Sequence, residues 1–447
     1  MIIEYTGAQK LKGSLLFFEP VADVRYGEKV VIRSEGKTLY GKVAALSETM
    51  MLIEILAEPY GLDIDNLKVQ FTGSTFELGV SETMLGRIMN AFGEAADGAD
   101  EILCEERLPI GGSAYNPAQR RYPKDFIQTG VSAIDGLNVL IKGQKLPVFS
   151  VAGAATSELA AQLVRQIRPS DKKGAVVFAA MGIKYEDAAF LMQSIRAGGN
   201  FASTAVFLNL ADEPSINTLL LARSALTFAE YLAFKKGYDV VTVLYDMTNY
   251  CDALREVSSR REEIPSRKGY PGYMYSDLAS IYERAGILKG KSGSLTQIPV
   301  LTMPDGDITH PIPDLTGYIT EGQIVLEREL HQKGIYPPIN VLPSLSRLMN
   351  HGTTAQHRRW SAEIYAAYAK AKRAQMLASI VGEGEMGETE RDYLAFGKAF
   401  ESRFIKQRND EKRTLEETLA IGWELLRLLP PESLTRLKPE DISEHLQ

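Results

Sequence analysis

The chain has 447 residues, a formal net charge of -7, and 45% apolar and 24% charged residues. That length exceeds one ordinary core, so two or three domains are expected, and the composition is that of a globular protein and excludes a disordered chain. The acidic balance, with no dense Lys/Arg block, argues against an unstructured nucleic-acid-binding arm, and two distant cysteines with five scattered histidines argue for a reducing compartment and against a zinc site.

The N-terminal segment MIIEYTGAQK lacks the charged-then-apolar pattern of a signal peptide, and no window reaches the roughly 18 apolar residues that a membrane span needs. The chain is therefore expected to be soluble, to face the cytoplasm, and to work at a membrane only through partners. Over residues 1–75, short apolar runs alternate with turn signals: Gly13-Ser-Leu-Leu-Phe-Phe, Lys29-Val-Val-Ile, Leu39-Tyr-Gly-Lys-Val and Met51-Leu-Ile-Glu-Ile-Leu. Strands of that length and spacing predict a small β-barrel or sandwich. Residues 76–345 change texture. Apolar runs at Pro147-Val-Phe-Ser-Val, Ala175-Val-Val-Phe-Ala-Ala, Ala205-Val-Phe-Leu and Val240-Val-Thr-Val-Leu-Tyr alternate with helical stretches, which predicts an α/β domain with a parallel sheet. Residues 346–447 read as a helical domain, with an Ala- and Lys-rich stretch from Ala362 to Ile380 and helical apolar spacing from Thr414 to Leu429.

Two places in the middle domain look like parts of a P-loop nucleotide-binding fold. An active loop reads GxxxxGK[ST]: backbone N–H groups wrap the phosphates, Lys neutralises them, and the hydroxyl holds Mg²⁺. Here Val151 takes the first glycine position, Thr156 the second, Ser157 the lysine and Glu158 the hydroxyl, so all four defining positions differ. A degenerate P-loop, an ordinary β–α turn capped by Thr156 or Ser157, is the reading that follows. Asp246 closes the apolar strand Val240–Tyr245 as a Walker-B acid does, and it suits either a hydrogen-bonding role or a residual metal contact. After Ala175-Val-Val-Phe-Ala-Ala-Met-Gly182 come Ile183 and Lys184 where a hydrolysing enzyme needs a water-orienting glutamate; Glu186 and Asp187 lie in another register and suit a helix start. With no phosphate-binding lysine and no general base, the chain is expected to be catalytically inert by itself, with no resident metal.

Pro337-Pro-Ile-Asn340-Val-Leu-Pro-Ser344-Leu-Ser346 fits the signature P-[SAP]-[LIV]-[DNH]-x3-S-x-S of the rotary ATP synthase alpha/beta family. Asp125-Phe-Ile-Gln-Thr-Gly-Val-Ser-Ala-Ile-Asp135, Asp246-Met-Thr-Asn-Tyr-Cys-Asp-Ala-Leu-Arg255, Lys268-Gly-Tyr-Pro-Gly-Tyr-Met-Tyr-Ser-Asp277 and Thr309-His-Pro-Ile-Pro-Asp-Leu-Thr-Gly-Tyr-Ile-Thr-Glu-Gly-Gln323 resemble the non-catalytic B subunits of its V-type (archaeal/vacuolar-type) branch. The likeness covers nearly the whole chain. It implies a barrel, a nucleotide-binding domain and a C-terminal helical domain. It also implies an alternating hetero-hexamer of three catalytic A and three B subunits around a central rotor stalk, with a peripheral stalk reached through the N-terminal domain, on the cytoplasmic side of a proton- or sodium-transporting membrane complex.

In that family ATP or ADP with Mg²⁺ is held mainly by the catalytic A subunit, while its B neighbour completes the site across the interface. The motif match makes Arg347 the arginine finger acting in trans, with Ser344 and Tyr318 as candidate nucleotide contacts. The resemblance has departures: Val151-Ala152 and Ala154-Ala155-Thr156-Ser157 replace the usual Gly-Ser and Leu-Pro-His-(Asn/Lys), and the segment from Arg347 to Trp360 is shorter than usual. The cluster Arg260, Arg261, Arg267 and Lys268 reads as a solvated charged loop, and the following Tyr270-Pro-Gly-Tyr273 implies a smooth collar at the rotor bore. A structural ring subunit without a working finger, or an autonomous hexameric NTPase motor, are the alternatives; the motor would need the intact loop lysine and glutamate.

Overall fold

The computed structural model describes residues 3–34, 36–57, 59–112, 115–170 and 173–446, so the first two residues of the N-terminal segment lie outside it. Six strands come first: β1 (Ala8–Lys12), β2 (Leu15–Phe18), β3 (Lys29–Ser34), β4 (Lys37–Leu46), β5 (Met51–Ile55) and β6 (Lys68–Phe71). They pair antiparallel in the order β1-β2-β5-β4-β3-β6. In β3 the alternation buries Val30, Ile32 and Ser34 on one face, which is the period-two pattern of a half-buried strand. The sheet rolls until its edges meet, where Tyr5 and Val69 exchange backbone hydrogen bonds of 2.8 and 2.9 Å. Leu16, Phe18, Val30, Ile32, Ile53 and Val69 fill the interior.

The central sheet has ten strands. Along its main path the order is Ile339–Ser346, Gly322–Leu326, Val148–Ser150, Ser294–Thr302, Asp239–Tyr245, Gly174–Ile183, Thr204–Leu210, Ile88–Met89. All neighbours on this path are parallel except the first pair, where Ile339–Ser346 runs antiparallel along the edge. Strands buried on both faces by flanking helices need continuous apolar runs, which is why Val176, Val177, Phe178, Ala179 and Ala180 are all at zero exposure. The four strand-like runs read from the sequence all lie in this sheet.

The basic cluster divides. Arg260 pairs with Glu256 at the surface and Arg267 is largely exposed, but Arg261 is mostly buried. Its guanidinium meets Glu54 of the barrel at 2.5 Å, and Lys42 approaches the same carboxylate at 3.3 Å. Glu54 is 3% exposed, so the charge pair is part of the seam between barrel and sheet. The expectation of a uniformly solvated loop is corrected at this residue: a buried carboxylate needs a paired cation, and Arg261 is within reach.

The C-terminal region is helical, built on Ala355–Val381, Glu388–Ala399 and Leu415–Leu426. The last begins with a capping box between Thr414 and Glu417. Trp360, Tyr368, Phe396, Phe400 and Phe404 stack through its core, with Tyr368 and Phe400 centroids 4.6 Å apart. Helix Leu415–Leu426 can lie so close because residue 422 is glycine: a Cβ there would sit 2.0 Å from the Trp360 ring. The Thr129–Asp135 motif forms the joint to the middle domain. Asp135 accepts from the Thr129 and Gly130 N–H groups, and Gln407 binds Ser132 N at 2.8 Å and Gly130 O at 3.0 Å. Burial pushes the Asp135 carboxyl up to about 7, against the pull of those donors. Among the described residues no helix is long and apolar enough to cross a membrane.

Candidate functional site

Parallel sheets bind ligands beyond the C-terminal ends of their strands. Strand Val148–Ser150 lies between Ser294–Thr302 and Gly322–Leu326, and its exit runs through residues 151–155 into helix Thr156–Gln166. The expected cap is corrected here. Thr156 is already helical; the cap position belongs to Ala155 at φ 53°, and no side chain caps the helix. The left-handed backbone at Gly153 and Ala155 bends the turn tightly enough that Ala154 and Ala155 bury against the core.

The hydroxyls of this turn and its Ala152 carbonyl are taken up within the chain. Ser150 and Thr156 share a hydrogen bond between their hydroxyls, and the Ser157 hydroxyl donates to Glu158 at 3.0 Å. Arg328, just past strand Gly322–Leu326, donates from Nε and Nη2 to the Ala152 carbonyl at 2.9 and 2.5 Å. A phosphate cradle needs N–H groups and a lysine; this turn has no lysine, and it presents a carbonyl clamped by a guanidinium beside the Glu158 carboxylate. Ser157 and Glu158 stand where an Mg²⁺-nucleotide loop places its lysine and its metal-binding hydroxyl, and a carboxylate there repels phosphate.

Asp246 is 7% exposed and caps helix Met247–Arg260. It accepts from Thr248 N at 2.7 Å, Thr302 N at 3.3 Å and Thr302 Oγ1 at 2.8 Å. Burial raises its pKa while these donors pull the other way. The carboxylate knits two adjacent strand ends together, which is the hydrogen-bonding role. Gly182, at φ 58°, is held by Asn209 through its N–H and by Asn249 through its carbonyl, each at 3.0 Å. Glu186 and Asp187 occupy the first turn of helix Tyr185–Ala197. Among the described residues no three His, Cys, Asp or Glu side chains gather as metal ligands.

The other face lies at the sheet edge. Strand Ile339–Ser346 ends at Arg347, whose backbone N–H binds Glu321 O at 2.9 Å. The Arg347 guanidinium is exposed and makes one long hydrogen bond, 3.4 Å, to Thr320 O. Among the described residues no carboxylate lies within 4.0 Å of it. Tyr318, 75% exposed at the end of helix Pro311–Ile319, stands on the same stretch as that carbonyl. Ser344 is different: it is 5% exposed, donates to Asn340 O at 2.6 Å and accepts from Val325 N at 2.9 Å. Ser346 bonds Val139 O and Gln144 Nε2. The two signature serines fix the register of the edge strand, and their hydroxyls are spent inside the fold. Arg347 and Tyr318 are the candidate groups that face outward. Arg328, Thr302 and the asparagine pair carry no signal in the sequence; their importance comes from strand order.

A model of the ATP synthase alpha/beta family nucleotide-binding domain matches residues 130–346, and one for the C-terminal domain of V and A type ATP synthase matches residues 346–446. The chain belongs to the ATP synthase alpha/beta family, in its V/A-type B-subunit branch. It is 49% identical to the V-type ATP synthase beta chain of Halothermothrix orenii, over 99% of this chain and 97% of that protein. The B subunit of the A-type ATP synthase of Aeropyrum pernix is 50% identical over the same shares. The solved structure of an ATP synthase subunit, NeqB, from Nanoarcheaum equitans superposes with a TM-score of 0.76 at 39% identity, covering 94% of this chain and 100% of that one. Membership of this branch makes the chain a rotary ATPase B subunit that works in a complex with partner subunits.

Proposed function

We propose that this B subunit is non-catalytic by itself and completes the ATP site of a neighbouring A subunit, in an alternating hexamer of three A and three B chains that drives ion transport or ATP synthesis. The observation that carries the reading is the contrast between the two faces. The chain's own loop lacks the phosphate-binding lysine and has its hydroxyls committed internally, while among the described residues Arg347 offers an exposed guanidinium with no carboxylate partner at the sheet edge. A planar, permanently charged fork can donate to two oxygens of a phosphate held by the partner, and it strengthens as charge develops there. Arg347 supplies the donors; Tyr318 supplies an exposed ring beside them. Nucleotide and Mg²⁺ would be held mainly by the A chain.

Two outcomes are expected of the purified chain. It shows no ATP turnover above a buffer blank; turnover that disappears in Asp246→Ala would overturn the non-catalytic reading. By light scattering it is largely monomeric and forms rings only when the A chain is added. Stable homohexamers would favour an autonomous motor instead.

A further inference from the structure

Little holds the Arg347 side chain itself, with one 3.4 Å bond to Thr320 O, so the direction of its guanidinium is set by the backbone turn that follows it. That turn, Leu348 to Thr353, is short. Leu348 packs into a small cluster with Val139 and Ile141, and Gly352 is pressed so close that a Cβ would lie 2.1 Å from Ile141 Cδ1 and 3.3 Å from Lys124 O. Arg358, from the helix beyond, donates to Asn350 O at 2.7 Å and Thr353 O at 3.0 Å. On its outer side the turn also meets Tyr122. The Tyr122 ring stands edge-on to His351, with centroids 4.7 Å apart and an interplanar angle of 69°, and the hydroxyl lies 3.2 Å from His351 Nε2.

Tyr122 lies in the short connector between two paired strands. The strand before it, Arg120–Arg121, pairs with Gly286–Leu288, and the strand after it, Phe126–Ile127, pairs with Leu140–Ile141. Both rings are exposed, with Tyr122 at 58%, so the contact adds little to folding. The exposed ring contact and hydrogen bond join the segment between two paired strands to the turn after Arg347, and they add an outer restraint to the anchors at Leu348, Asn350 and Gly352.

We propose that Tyr122, through His351, is a positioning residue that braces the Arg347 turn and aims its guanidinium across the interface between neighbouring chains. The inference rests on the arginine-finger reading. Displacement of a transition-state group by about 1 Å costs on the order of a hundredfold, so a partial loss of aim should appear in turnover and spare substrate binding.

The test is a double-mutant cycle in assembled rings: wild type, Tyr122→Ala, Arg347→Ala and the double variant, each with kcat and KM measured and with thermal melts compared. Tyr122→Ala is expected to lower kcat about tenfold or more with KM within about twofold, at an unchanged melting temperature. In the Arg347→Ala background the same change should have no further effect. Tyr122→Phe, which keeps the ring edge and loses the hydroxyl, should fall between. An unchanged kcat in Tyr122→Ala, or an equal fold-loss in both backgrounds, would overturn the brace. Arg347→Ala rings that keep wild-type turnover would overturn the finger, and the brace with it, which is a separate and recognisable result.

Discussion

Arg347→Ala is expected to cut ATP turnover of the assembled ring by about three orders of magnitude, the scale on which arginine fingers act. Ring assembly should change little, because one exposed side chain with a single long hydrogen bond adds little to a large interface. Arg347→Lys should recover only a small part of the loss, since a point charge on a flexible stem cannot reproduce two parallel N–H donors. Single-turnover hydrolysis, with size-exclusion chromatography to establish intact rings, reads both effects. Variant rings turning over within a few-fold of wild type would make the chain a structural spacer.

The second large effect is on stability. Arg284 is 1% exposed in the middle domain, and its guanidinium forms hydrogen bonds of 2.8 and 2.6 Å to the Glu230 carboxylate, with further bonds to Thr227 Oγ1 at 2.8 Å and to Ile110 O and Arg223 O, both at 3.3 Å. Its plane also covers Gly112, where a Cβ would lie 2.7 Å from Cζ. Truncation to alanine leaves a nearly buried carboxylate without its cation. Breaking such a pair costs about 3–5 kcal/mol. Arg284→Ala should therefore lose that much in urea unfolding, and Arg284→Ala/Glu230→Leu should recover part of it by removing the stranded charge. Equal stability of Arg284→Ala and wild type would mean that the pair contributes nothing net.

The elements legible in the sequence are those where burial imposes a simple period. Strand β3 alternates because one face is wet, and Gly174–Ile183 runs apolar because neither face is. Ser294–Thr302 was not legible. It is a central strand, yet it reads Ser-Leu-Thr-Gln-Ile-Pro-Val-Leu-Thr, with Thr296 and Gln297 fully buried and Pro299 inside the ladder. Neither proline nor buried polar residues signal a core strand. Missing that strand hides Thr302, and with it the partner that ties Asp246 into the fold.

The same limit governs the site. Four absent loop residues could be counted from the sequence, but Arg328 belongs to no motif; its clamp on Ala152 depends on Gly322–Leu326 lying next to Val148–Ser150. The signature pattern located Ser344 and Arg347 together, three residues apart. The alternation of an edge strand sends the serine hydroxyl inward to Val325, and the turn beyond leaves the arginine outside. Sequence adjacency could not separate a register-fixing residue from an outward-facing one.

The most direct measurement compares how intact A–B rings bind a ground-state nucleotide and a transition-state mimic, with and without Arg347. Affinity for ATP and for ADP–aluminium fluoride would be measured by equilibrium binding on wild-type and Arg347→Ala rings. A finger strengthens mainly as charge moves to the transferring phosphoryl group. The predicted result is a loss of about a thousandfold for the mimic and less than about tenfold for ATP. Equal losses for both ligands, or none for either, would contradict the assignment of Arg347 to the neighbour's ATP site.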